Sequence, residues 1–167
     1  MSIQNKLKKW FEEGNKGERH KGLRKIGIDN EKIKNHLIKA EHNMKAIAFF
    51  KKNKFSDWSA SAAFYALYQA LLALCAKYGC ESRNQEATFT FIEDLIDKGA
   101  IKNIIKEDLR EIFDKSIDHD LEHSDKILDI REKMQYFTST EMEDEEFNEL
   151  FNRTKELFDK IKREVER

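Results

Sequence analysis

The chain has no proline in its 167 residues and only six glycines. The residues that most often break helices are therefore missing from long stretches, which favours long helices over short strands and tight turns. Cysteine is nearly absent as well, with Cys75 and Cys80 alone. Cys75 stands in an apolar run and reads as a small core residue, and no structural disulfide is expected, in keeping with a reducing cytosol. Charge of one sign is not in excess: 31 Lys plus Arg meet 32 Asp plus Glu. Overall charge thus gives no reason to expect nucleic acid, and any such contact has to come from a local patch. The longest apolar run, Ala60 to Ala76, is interrupted by Ser61 and Gln69 and falls short of the roughly 20 residues of a membrane span. The Lys-rich opening has no apolar stretch of signal-peptide length. These features predict a cytoplasmic protein with no membrane partner.

What is present points the same way. Hydrophobic residues make up 40% and charged residues 38%, too apolar for disorder and suited to helices with one wet face. The length fits one domain, able to bury roughly 70% of its unfolded surface.

Residues 1–30 read as a basic arm. Ile3, Leu7, Trp10 and Phe11 would share one face of a short helix, and 14–28 holds four glycines among Lys and Arg, the composition of a linker. Residues 31–167 read as the bundle. Asp29 or Asn30 can cap a first helix whose stripe is Ile33, Leu37, Ala40, Met44 and Ile47. A second, from Trp58 to Tyr78 with Ser56 or Asp57 at its cap, is apolar on nearly every side and belongs at the centre. Gly79 is placed to end it. Ser82 and Gln85 have the spacing of a capping box for a third helix that Gly99 ends, and Thr140 and Glu143 have it for a fifth. Between them a fourth helix is predicted over 106–136. Its stripe runs through Leu109, Ile112, Phe113, Ile117, Leu121, Ser124 and Leu128 to Arg131.

Arg131 is the most informative position. A guanidinium on a stripe that faces the core or an interface needs partners, because an unpaired buried charge costs several kcal/mol. It either reaches solvent or an acidic neighbour near the helix end, or it lines a groove that meets phosphate. His119 and His123 have a spacing that can hold zinc, but they fall on the polar side of this helix, and no third ligand accompanies them. Arg83 and Asn84, at the start of the third helix, are polar residues that can reach a groove or simply face solvent. The lysines and arginines of 6–25 can track a phosphate backbone and Trp10 and Phe11 can stack on bases. The stripe Ile3, Leu7, Trp10 favours docking of this segment on the bundle instead.

The run from Phe55 to Leu72, FSDWSASAAFYALYQALL, resembles the second helix of HEPN domains, in which an aromatic-rich opening leads to alanines with paired aromatics and then Ala-Leu-Leu. Ala40-Glu41-His42 to Phe50 resembles their first helix. Ile130-Arg131-Glu132-Lys133-Met134-Gln135-Tyr136 resembles the family's signature region, where an Arg is followed a few residues later by His, or in some branches by Tyr. The likeness spans 31–166. It implies an all-α, antiparallel up-and-down bundle of about five helices. Many members are metal-independent endoribonucleases that dimerise, so that the Arg and His of each chain meet in a shared cleft. An Arg stabilises charge on a phosphate and a His moves protons near neutral pH.

Here the positions that would hold the His are Tyr136, Phe137 and Thr138. A phenol with a pKa of about 10 is a poor base at pH 7. The resemblance therefore implies a non-catalytic or nucleotide-binding branch, some members of which pair with a minimal nucleotidyltransferase as toxin and antitoxin. On this reading Arg131 contacts phosphate and Tyr136 orients or stacks, in a pocket bordered by a second copy of the chain. Arg83 and Asn84 would add contacts to RNA or nucleotide, and neither metal nor cofactor is needed. Two rival readings remain open: a helical scaffold or antitoxin-like partner with no nucleic-acid ligand, and an active ribonuclease that draws a His from elsewhere, such as His119 or His123.

Overall fold

The computed structural model describes residues 2–113, 126–136 and 138–167, and within 126–136 the side chains of Ile127, Ile130, Arg131, Lys133, Met134 and Gln135. Its described elements run α1 (Ile3–Gly14), β1 (Leu23–Lys25), α2 (Asn30–Lys52), α3 (Asp57–Lys77), β2 (Cys80–Ser82), α4 (Gln85–Asp97), α5 (Lys106–Ile112), α6 (Lys126–Tyr136) and α7 (Asp144–Glu166). Among the described residues the architecture is all-α apart from one two-stranded antiparallel pairing, Leu23 opposite Ser82.

Helix α3 organises the rest. Phe64, Leu67, Leu71, Leu74 and Cys75 are fully buried on it, together with Ala60, Ala63, Ala66, Ala70 and Ala73. The alanines keep the helix slim, so that α2, α4, α6 and α7 can all pack against it. By length and composition α3 could cross a membrane, yet 72% of its apolar window is buried within the fold. α2 runs antiparallel to it: Ser59 donates to the Ile47 carbonyl at 2.9 Å, and His36 meets Gln69 at 2.9 Å. Asp29 caps α2, accepting from the amides of Glu31 and Lys32. On α7, Leu150, Leu157, Phe158, Ile161 and Val165 are buried at the expected three-and-four spacing.

Several boundaries differ from the sequence expectation. The cap of α4 is Asn84, whose Oδ1 accepts from the Ala87 amide at 2.9 Å. Ser82 lies in β2, where pairing with Leu23 takes it out of capping reach. Ser56 precedes α3 but does not cap it, because its hydroxyl accepts from the Met142 amide at 2.7 Å and ties α3 to the start of α7. α7 begins after Glu143 without a side-chain cap. The predicted helix over 106–136 is represented by α5 and α6. α5 stops because Phe113 turns extended and stacks on Phe89 with ring centroids 4.5 Å apart. Arg153 clamps α5 to α7 through Glu111 at 2.6 Å and Asp108 at 3.2 Å, and Glu111 and then Glu156 push its guanidinium pKa further up.

The stretch 14–28, linker-like in composition, folds back onto the bundle. Leu23 within it is fully buried. α1 docks on α4 through Phe11 against Phe91, edge to face at 6.5 Å, and through Gln4 donating to Asp94 at 2.7 Å. Trp10 is partly buried against the core. Both cysteines are free thiols buried in the fold, and burial pushes the Cys80 thiol up to about 12. Gly79, at φ +68°, ends α3 in the left-handed region that glycine adopts without a Cβ penalty.

Gly14 shows how closely α1 approaches β1: a Cβ there would lie 1.7 Å from the Leu23 carbonyl oxygen. Gly14→Ala raises helix propensity, yet it should lower stability by about 2 kcal/mol or more through this clash. Gly27→Ala adds an atom with nothing within 4 Å and should stay within about 0.5 kcal/mol of the native chain. Urea unfolding followed by circular dichroism measures both, and equal midpoints would contradict the docking of α1 on β1.

Candidate functional site

Where α6 crosses α3, the partner presented to the core is a cation. The Arg131 guanidinium carbon lies 3.9 Å from the centroid of the Phe64 ring. Phe64 is fully buried and Arg131 is partly exposed, so the contact joins the core to the surface. Its neighbours on α6, Ile127, Ile130 and Met134, are buried and hold the helix in place. A guanidinium that stacks face-on over a ring keeps its N–H donors free at its edges. Such a group can accept an anion without first giving up its packing.

The Phe64 ring is the hub of a small aromatic array. Tyr68 stacks on it at 5.9 Å with planes 7° apart, and Tyr65 meets it edge to face at 5.3 Å. The Tyr68 hydroxyl is 3.3 Å from the Thr88 hydroxyl, which in turn donates to the Asn84 carbonyl at 2.9 Å and lies 2.7 Å from the Ser82 hydroxyl. Burial raises the Tyr68 phenol, only partly offset by its bond to Thr88. The phenol thus stays protonated near neutrality and serves as a fixed dipole rather than a base. A continuous set of contacts therefore runs from Arg131 through Phe64, Tyr68 and Thr88 to the first turn of α4.

The other sequence candidates fall at different distances from this array. Asn84 lies at its far end, with its side-chain oxygen committed to the α4 cap. Arg83 lies apart: one nitrogen is 3.3 Å from Glu81, another donates to the Glu18 carbonyl at 3.4 Å. Glu81 also meets Lys32 at 3.4 Å and the buried His20 at 3.5 Å. Burial pushes the Glu81 carboxyl up, but Lys32, Arg83 and His20 together outweigh it and hold the group below the ordinary glutamate range. Tyr136 closes α6, five residues beyond Arg131, and its side chain is outside the described residues, as are Phe137, His119 and His123. Among the described residues no group of three or more His, Cys, Asp or Glu is placed to hold a metal.

Phe64 and Tyr68 belong to this array, but in the sequence they carried only the family resemblance of an apolar helix and no role at a site. A helix apolar on every side does not disclose which ring will meet a cation 67 positions away.

The Arg131–Phe64 contact predicts a measurable coupling. A double-mutant cycle with Arg131→Met and Phe64→Leu should give a coupling energy of about 1 kcal/mol in urea unfolding. A coupling indistinguishable from zero would mean that the two groups touch without attracting.

Comparison with known proteins adds one finding at the family level. A family model described as HEPN domain matches residues 33–165, which runs from within the first turn of α2 to within the last turn of α7 and includes Arg131 and the whole aromatic array. No curated protein matches the chain.

Proposed function

The chain belongs to the HEPN domain family, a family of nucleotide- and RNA-associated domains, and from that membership we propose that it binds RNA or a nucleotide through Arg131, with weak or no nuclease activity. The observation that carries this reading is the guanidinium seated over a buried ring, its carbon 3.9 Å from the centroid. Arg131 contacts phosphate, its orientation set by Phe64, and loses little side-chain freedom when the anion arrives. Tyr136 orients or stacks on the ligand, in a pocket that a second copy of the chain completes.

Cleavage needs a proton carrier near neutral pH, and none stands at the expected interval after Arg131, where the residues are Tyr136, Phe137 and Thr138. Retained binding with lost chemistry suits a prokaryotic toxin–antitoxin or defence system, in which a minimal nucleotidyltransferase is the fitting partner. A small nucleotidyltransferase reading frame beside this one would support that context.

The experiment is an RNA mobility shift across a salt series with the native chain and with Arg131→Ala. The native chain should bind in a salt-dependent way. Arg131→Ala should bind more weakly, with the logarithmic salt slope smaller by about 0.7, as expected for one phosphate contact on a single strand. Neither protein should cleave the RNA. Equal affinity of the two proteins would overturn the phosphate role, and cleavage by the native chain alone would replace it with the ribonuclease reading.

A further inference from the structure

The exposed face of α3 beside Arg131 is not apolar in an ordinary way. Its large solvent-facing residues are aromatic: Tyr65 is 47% exposed and Trp58 58%. They stand seven residues apart, two helical turns, and so share one face at a separation of about 10 Å. Beyond Trp58 the strip continues around the α2–α3 turn, where Phe49 (62% exposed) and Phe55 (57%) form a shallow recess with Phe50, Asn53 and Trp58. Tyr65, at the other end, packs edge-on against the ring that carries Arg131.

Charge frames this strip. Residues 49–58 read FFKKNKFSDW, three lysines against one aspartate. Lys51 is committed to Asp144 at 2.5 Å, whereas Lys52 and Lys54 are exposed at the turn. Cations therefore stand at both ends, Arg131 at one and Lys52 with Lys54 at the other, with rings between them. A protein interface core would call for a contiguous apolar patch. Along α3 the rings are interrupted, since Ser61 and Gln69 lie on the same face as Trp58 and Tyr65. Rings at intervals between flanking cations match a single nucleic-acid strand, whose bases stack and whose phosphates seek positive charge.

We propose that Tyr65, Trp58 and Phe55 form a base-stacking track for single-stranded RNA, leading from Arg131 to the lysines of the α2–α3 turn. The proposal rests on the Arg131 reading and extends it: Arg131 anchors one phosphate, and the rings fix how many nucleotides are held and that they must be unpaired.

Trp58 supplies its own reporter. The chain has two tryptophans, so Trp10→Phe isolates it. In that background a short single-stranded oligoadenylate should quench Trp58 emission saturably. Tyr65→Ala and Phe55→Ala should each weaken binding about tenfold, and Tyr65→Phe should bind as the parent does. A duplex of the same length should not quench. If Arg131→Ala loses affinity while Tyr65→Ala and Phe55→Ala keep it, the track is wrong and the Arg131 reading stands. If none of the three changes affinity, both fail. Absent quenching, together with a concentration-dependent dimer in sedimentation that Tyr65→Ala and Phe55→Ala dissolve, would make the strip a protein interface and overturn the track.

Discussion

A helix that is apolar on nearly every side needs neighbours on most of them, and the fold is arranged around meeting that demand for α3. Its alanines bring neighbouring backbones close, and its leucines and Phe64 fill the space between them. The other elements are placed by what they cover. α2 lies antiparallel along one side, α7 along another, and Ser56 binds the backbone at Met142 to bring α7 into position. β1 and β2 pair just past the end of α3, with Leu23 fully buried. Where α6 completes the cover, the group laid over Phe64 is the guanidinium of Arg131. The same requirement that builds the core thus fixes the orientation of a cation at its edge.

Much of this was legible in the sequence because it follows from periodicity. The stripes of α2 and α7, the central place of α3, and Gly79 at its end are local patterns that packing respects. The family resemblance, carried by Phe55 to Leu72 and by the region around Arg131, agrees with a family match over 33–165. What the sequence concealed depends on long-range pairing. Composition made 14–28 look like a linker, yet Leu23 finds Ser82 across 59 positions. Ser82 had the spacing of a cap, but strand pairing claimed it and Asn84 took the role. Phe113 fitted the helical stripe, but stacking on Phe89 drew it out.

The candidate site has the same division. Arg131 stood out because a charge interrupted an apolar stripe. That it would lie on Phe64, with Tyr68 and Thr88 behind, required knowing which face of α3 meets α6. The aromatic strip was hidden for a related reason. Trp58 and Tyr65 looked like core residues in a helix apolar all round, and only the packing discloses which side is left open. Arg83, by contrast, is drawn toward Glu81, and local charge pairing of this kind does not register as periodicity.

The cation at position 131 is seated on its ring, and its proposed role offers it to phosphate. Nitrogen-edited NMR of arginine side chains reads both at once. Without ligand, the Arg131 Nε–H resonance should be shifted upfield by the Phe64 ring and lose that shift in Phe64→Leu; on addition of single-stranded RNA it should move downfield as a hydrogen bond to phosphate forms. A resonance at the random-coil position that does not respond to RNA would contradict the account.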